Sequence, residues 1–429
     1  MRAVTVTSVL CGLSSVANAA GFSLIEQSAS GIGSAFAGSA ASYDDASAMF
    51  FNPAALGMLD STQVVVSGHA INLKADFSNQ ASTLPAAGLG RLPQGATRND
   101  AGGVIGVPNA YFAVPFNEKL AFGLGVNVPF GLETTYDDPW IGRFQGIRSE
   151  LATINVNPAL SWKLNDVVTI GGGANYQHAE AKLSNAVLLG PATEGRAQID
   201  VDDDTWGWNA GVLFKLPSAT RVGLSYRSRT DFNLTGDTTV TGPTGQPIAA
   251  VSGPTTVDIT FPDSAFVSVA QPLSEAFELR GDVSWMNWSE VGTVIAANSA
   301  TGLPRDVLNF QFEDAWRVAL GGVYNKNDRW TFRGGIAWDQ TPVRDEFRTV
   351  RLPDEDRYWA SVGARWRPID PLSVDLGYAH LFVKDAEINL ARSQVGLPAT
   401  FSSTVVGDYD NAVDILSLQF TWAFGSPRG

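Results

Sequence analysis

The sequence predicts an all-β transmembrane barrel of about 14 antiparallel strands, preceded by a small element of short helices. Three observations point there. Large apolar residues alternate with small or polar ones along most of the chain, as in Leu416-Ser417-Leu418-Gln419-Phe420-Thr421-Trp422-Ala423-Phe424. Side chains of a strand point to opposite faces in turn, so one face is apolar and the other wet. The joins between these segments are short and long by turns, which is the rhythm of outer-membrane barrels. Charged residues make up only 17% of the chain, against roughly 25% in soluble domains. Low charge at a mean hydropathy of +0.01 is what apolar-out, polar-in strands produce.

Residues 1–19 read as a secretory signal. Arg2 gives the positive start, Ala3 to Val16 the apolar middle and Ala17-Asn18-Ala19 the small-residue cleavage site. Cys11 lies inside this segment, and Ser8 stands where a lipoprotein signal needs leucine, which argues against a lipid anchor. Cys11 is the only cysteine, so the processed chain can form neither a disulfide nor a thiolate metal site. Nowhere later do eighteen apolar residues follow one another, which excludes a spanning helix. The net charge of −14 argues against nucleic acid as a partner, since phosphate binding needs clustered Lys and Arg.

Residues 20–60 are rich in Ala, Gly and Ser and lack strand alternation. Asn52-Pro53 is a helix start, because Asn caps and Pro fits the first turn. Residues 61–424 carry the strands, beginning near Thr62, Gly103, Lys119, Ser149, Val167, Thr205, Thr220, Val257, Phe277, Phe310, Arg329, Arg357, Leu372 and Ala412. Short turns such as Lys163-Leu164-Asn165-Asp166 and Pro368-Ile369-Asp370-Pro371 face long loops, read at Ser78 to Ala101, Ser184 to Asp204 and Gly236 to Pro254. Both chain ends then fall on the periplasmic side. Residues 425–429 form a C-terminal extension.

Strand phase assigns the lumen. In Trp330-Thr331-Phe332-Arg333 the aromatics face lipid, so Arg333 points inward, and the same phase places Arg227, Arg317, Arg365 and Asp375 inside. These form either a charge lattice that stiffens the wall and holds the N-terminal element, or a seat for a ligand carboxylate; polar lumens are general among barrels, which favours the lattice. Pro129 cannot donate to a ladder and Gly131 weakens one, so Val128-Pro129-Phe130-Gly131 marks either a gap in strand three or its end.

The segment Ala20-Gly21-Phe22-Ser23-Leu24-Ile25-Glu26-Gln27, with Asp44-Asp45-Ala46 and Asn52-Pro53-Ala54, resembles the hatch of FadL-type outer-membrane transporters of long-chain fatty acids. Gly131-Leu132-Glu133-Thr134, Asp314-Ala315-Trp316-Arg317 and Leu352-Pro353-Asp354-Glu355-Asp356-Arg357-Tyr358-Trp359 are similar to that family in the same order. The resemblance implies a fourteen-stranded barrel whose N-terminal hatch plugs the lumen. It implies passive uptake of long-chain fatty acids or related hydrophobic molecules, captured among outer loops and released sideways at Val128, Pro129, Phe130 and Gly131, with Asn52, Pro53 and Ala54 beside that gap. The family's carboxylate-holding cations fall on Asn185 and Leu308 here, which keeps neutral aromatic hydrocarbons of the TodX type open as cargo.

A general porin would need an open lumen. A barrel hydrolase would need a base, and His69, His178 and His380 read as interfacial or surface residues with no Gly-x-Ser-x-Gly or metal-binding cluster nearby. The expectations are therefore a bacterial outer-membrane, multi-pass monomer that is no enzyme and uses no cofactor or metal. Its partners would be its hydrophobic cargo, membrane lipid and lipopolysaccharide.

Overall fold

The computed structural model describes residues 20–85, 92–190 and 193–424. The secretory signal, the C-terminal extension and the tip of the first long loop lie outside these residues.

Fourteen strands close on themselves. They are β1 (Thr62–Asn79), β2 (Gly103–Pro115), β3 (Leu120–Asn127 and Gly131–Thr135), β4 (Arg148–Lys163), β5 (Val168–Gly190), β6 (Thr193–Lys215) and β7 (Arg221–Arg227 and Thr230–Thr241). Then come β8 (Gly253–Phe261 and Ser264–Pro272), β9 (Phe277–Met286 and Thr293–Asn298), β10 (Pro304–Asn309 and Ala315–Asn327) and β11 (Trp330–Asp339). The circuit ends with β12 (Arg357–Ile369), β13 (Leu372–Val383 and Ala386–Arg392) and β14 (Ser403–Phe424). Each strand pairs antiparallel with the next, and β14 returns to β1 from Thr62↔Phe424 to Asn79↔Gly407. Closure removes the unpaired edges that lipid would not tolerate. Val66, Leu160, Trp162, Ile336, Val362 and Leu416 are exposed on the outer face, while Ile71, Arg333, Asp375 and Gln419 are buried inside.

The segment read as a long loop at Ser184 to Asp204 is instead the outer half of the β5–β6 hairpin, paired up to Gly190↔Thr193. Likewise β14 begins at Ser403 rather than near Ala412. Beyond the lipid the outward positions carry Glu180, Lys182, Asp200, Asp408 and Asp410. Water replaces lipid there, so the alternation inverts, with Ala179, Ile199, Val201 and Tyr409 turned inward, while the ladder continues.

His178 and His380 face outward beside Asp204 and Asp414, at 2.9 and 2.8 Å. His69 corrects the surface reading. It lies on the inward phase of β1, buried, with Nδ1 2.7 Å from Ser417 Oγ.

The hatch fills the lumen with a helical turn, Ala29–Ile32, and three 3-10 turns, Ser39–Ala41, Ala46–Phe50 and Pro53–Met58. Ser28, Asp45 and Asn52 each cap a turn by accepting from a backbone N–H. Its backbone runs so close to the wall that a β-carbon on Gly171, Gly223 or Gly335 would collide with Ala54, Ala40 or Ser34. Small wall residues are what let the plug fit.

Candidate functional site

The wall is interrupted at β3. Asn127 pairs with Asn155 and Gly131 with Ala152, so three residues of β3 stand opposite two of β4. This is a one-residue bulge. The β2–β3 ladder stops at Ala110↔Val126, and among the described residues no strand pairs with Gly103–Asn109 on that side.

Backbone groups left bare at membrane depth would cost several kcal/mol each. The hatch and the neighbouring strands meet that demand. Leu24 N–H donates to Pro129 O at 2.8 Å, Gly131 N–H to Phe22 O at 2.7 Å, and Gln27 Nε2 to Val128 O at 3.0 Å. Val128 N–H finds Asn109 Oδ1 at 3.3 Å, and Phe130 N–H finds Thr153 Oγ1 at 3.0 Å. Asn109 Nδ2 donates in turn to Glu26 O at 2.9 Å. The kink is thus lined by protein throughout.

Asn52, Pro53 and Ala54 lie elsewhere, which corrects the expected juxtaposition. Asn52 Nδ2 donates to Ala40 O at 2.7 Å and to Val212 O at 3.1 Å, and the turn rests on Gly171 and Gly211 of β5 and β6. Phe22 to Gln27 is the hatch segment that meets the kink. Asn52 caps the Pro53 turn, and Gly171 of β5 and Gly211 of β6 make room for its start.

An apolar cavity of about 840 Å³, its open mouth included, starts at the kink. Pro129, Phe130, Leu24, Ile25, Phe51 and Phe266 line it, together with Arg227 and Arg317. Above it Phe22 is wedged among Trp288 (4.6 Å between ring centroids), Phe261 (5.4 Å) and Phe130 (6.0 Å). This aromatic cluster separates the cavity from an outer hollow of about 1490 Å³, open space included, bordered by Phe144, Leu188, Val240, Leu303, Arg305 and Arg392. Asn185 also lines that hollow, and its Oδ1 accepts from Arg351 Nη2 at 3.3 Å. Leu308 is buried in the aromatic cluster instead. Sequence reasoning missed Phe22 and Arg351, which lie outside the strands and have no strand phase, and Arg392, which ends the outer half of β13 beyond the lipid-facing alternation.

The inward arginines divide into two groups. Arg333 donates to Asp375 at 2.8 Å and reaches Asp44 at 3.4 Å. Arg365 bridges Asp45 and Asp375 at 2.8 and 2.9 Å. Among the described residues Arg227 and Arg317 make no hydrogen bond to a carboxylate, and Arg317 has only a long ion pair, to Asp282 at 3.8 Å.

Burial pushes the Glu26 carboxyl of the hatch up to about 7, against its own backbone hydrogen bond and the nearby Arg357 and Arg317. The folded value exceeds the ordinary 4.5, so the docked hatch holds this proton more tightly than the free chain does. The contribution is fully present below about 4.5 and is lost as pH rises through about 7. Amide exchange at Leu24 to Gln27 should accelerate across that window, and Glu26→Gln should flatten the dependence. An unchanged pH profile in the variant would assign the effect to another group.

A plugged barrel with an apolar inner cavity and a protein-lined break in its wall defines a transport protein of the outer membrane. The family described as "Outer membrane protein transport protein (OMPP1/FadL/TodX)" matches residues 10–424, and the chain belongs to it. It is 32% identical to outer membrane protein P1 of Haemophilus influenzae, covering 85% of this chain and 86% of that protein. It is 28% identical to the long-chain fatty acid transport protein of Escherichia coli K12, covering 88% and 91%. A solved Pseudomonas aeruginosa FadL homologue has the same fold, with a TM-score of 0.87 at 23% identity over 95% of this chain and all of that one. The Pseudomonas putida toluene transporter TodX shares it at 0.69 and 15%, over 89% and 95%.

Proposed function

We propose that this protein takes up long-chain fatty acids or related hydrophobic molecules by diffusion and releases them sideways into the outer membrane at the β3 kink. The observation that carries the reading is the apolar cavity ending at Pro129 and Phe130, where the β2–β3 ladder is absent. Burying a methylene gains ~0.8 kcal/mol, so about ten of them gain roughly 8 kcal/mol in such a site. A molecule held that way exits more readily into lipid than into water. The name of the Escherichia coli relative supports fatty acids as cargo. In this reading Val128, Pro129, Phe130 and Gly131 form the gate, and Asn52, Pro53 and Ala54 fix the hatch to β5 and β6. Arg333, Arg365 and Asp375 act as the lattice that holds the hatch.

A second reading, neutral aromatic hydrocarbons of the TodX type, is favoured by the aromatic ring cluster around Phe22. Retention of radiolabelled oleate against toluene by cells expressing the gene separates the two. Preferential retention of oleate is expected; preferential retention of toluene selects the second reading. Large, stable single-channel conductance of the intact protein would sink both in favour of a porin.

A further inference from the structure

We propose that the barrel wall has a second opening, between β8 and β9 at the outer surface of the membrane, through which neutral apolar molecules enter the lumen directly. The turn Trp288–Glu290 is its shutter. The inference rests on reading the lumen as a transport path.

The β8–β9 ladder rises from Pro272↔Glu278 to Ser264↔Met286 and stops there. It resumes at Val257↔Ala296, for the short stretch up to Thr255↔Asn298. Among the described residues, 258–263 face 287–295 with one backbone hydrogen bond, from Asn287 N–H to Asp263 O at 3.0 Å. Both flanking seams carry bonds at the same height. Thr230↔Phe261 and Arg227↔Ser264 join β7 to β8. Thr293↔Asn309, with Phe312 N–H donating to Val291 O at 3.1 Å, joins β9 to β10. The break is therefore a window in one seam. Ala265, just below it, pairs with Tyr226 and Trp285, and such rings mark the membrane surface.

A hollow of about 740 Å³, open space included, enters the wall here. Asp231, Asp258 and Glu290 stand exposed on its rim, while Ile259, Val291 and Val294 form its floor. The floor belongs to the apolar cluster of Phe22, Phe130, Phe261 and Trp288. Trp288 also lines the inner cavity, so a molecule that passes it arrives there without crossing the outer hollow.

The shutter is weakly fastened. The Trp288 ring is buried edge-on to Phe22 and Phe312, and its Nε1 has no acceptor among the described residues, so packing alone holds it. The rest of the turn is tied at the exposed rim. Asn287 Nδ2 donates to Asp263 Oδ1 at 3.0 Å, Ser289 N–H to Asp314 Oδ1 at 3.1 Å and Arg229 Nη1 to Glu290 Oε1 at 3.0 Å. Exposed ties of this kind contribute little each, so the turn can lift while the ladders beside it persist.

The charge of the rim selects what passes. Asp203 joins the three rim acids, accepting from Asn233 N–H at 2.8 Å, and the rim cation Arg229 is already committed to Glu290. An anionic head meets repulsion at this mouth, whereas a neutral apolar molecule does not.

Cys11 of the N-terminal segment is the chain's only cysteine, so an engineered pair has no competing thiol in the barrel. The test is Asp263→Cys with Asn287→Cys, at side chains that meet at 3.0 Å, oxidised to a disulfide that pins the turn in cells expressing the full-length gene. Uptake of oleyl alcohol and of oleate, equal in tail and different in head, is measured before and after reduction with dithiothreitol. Oxidised cells should lose most of their oleyl alcohol uptake and keep their oleate uptake, and dithiothreitol should restore the loss. Oleyl alcohol uptake that ignores the disulfide overturns the proposal and leaves the transport reading standing, as does equal loss of both probes. In the same background Asp258→Lys should make oleate uptake sensitive to the disulfide too; indifference there overturns the role of the rim. Uptake of neither probe by wild-type cells sinks the transport reading itself. Trp288→Leu, which shrinks the shutter, should raise oleyl alcohol uptake relative to oleate. An unchanged ratio overturns the proposal even where the cysteine pair fails to form.

Discussion

Deletion of Pro129 is expected to leave a folded barrel that has lost most of its uptake. With one residue removed, the three that oppose two become two against two, and the pairings Asn127↔Asn155 and Gly131↔Ala152 fall into one register. The removed residue is also the one without an N–H to give the ladder. β3 can then run straight beside Gly103–Asn109 of β2. Opening a complete ladder to lipid would expose backbone groups at several kcal/mol each, so passage should fall by about a hundredfold or more. Capture in the outer hollow should persist, since its lining residues lie away from β3. Oleate retained at the cell surface but not delivered to lipid is the predicted phenotype. Normal delivery would rule out sideways exit and return the route to the plug.

Replacing Asp45 with alanine is expected to release the hatch from the wall. This buried carboxylate accepts from Ser30 Oγ, Ser47 N–H, Arg365 Nη2 and Gln419 Nε2 at 2.8 to 3.1 Å, and so ties two hatch turns to β12 and β14. Removing one partner of a buried ion pair costs about 3–5 kcal/mol when the other charge is left alone, and the loss here is smaller because Arg365 keeps Asp375 at 2.9 Å. Loss of the cap on Ala46–Phe50 adds ~1 kcal/mol. Asp45→Ala should therefore show frequent conducting openings in planar bilayers and faster proteolysis within residues 20–60. Asp45→Asn, which keeps the cap and drops the charge, should fall between. A variant as silent as wild type would mean that Arg365 and Asp375 hold the hatch without it. Asp44 reinforces the same contact. Burial would raise its carboxyl, yet the hydrogen-bonded Arg280 guanidinium holds it well below the usual carboxylate range. Its stabilising effect is present at neutral pH and fades only in strong acid.

Strand phase made the barrel legible wherever one face met lipid. It placed Arg227, Arg317, Arg333, Arg365 and Asp375 inside from aromatic neighbours alone, and their side chains are buried there. It failed above the membrane, where β5 and β6 turn polar residues outward and apolar ones such as Leu183, Ile199 and Val201 inward, the reverse of the lipid-facing phase. It was also overruled at His69, read as a surface residue although the phase of β1 points it inward. Pro129 and Gly131 announced a weakened ladder but not what would cover it. That depends on Phe22, Leu24 and Gln27, more than a hundred positions away, and no local pattern encodes such a meeting. The same holds for Arg317. Its charge is visible in the sequence, while its lack of a carboxylate hydrogen bond emerges only when every neighbouring acid has been placed.

The backbone contacts between hatch and wall also bear on the order of assembly. Ala29 N–H bonds to Gln419 Oε1, a contact spanning 390 positions, and the seam between β1 and β14 joins the two ends of the barrel sequence. Contacts of such separation form late and slowly. A closed cylinder with wall glycines fitted against Ala40, Ser34 and Ala54 offers no route for threading this segment in afterwards. The hatch must therefore wait inside a curling sheet until the last strand arrives, and the zipping of that seam is the step that traps it.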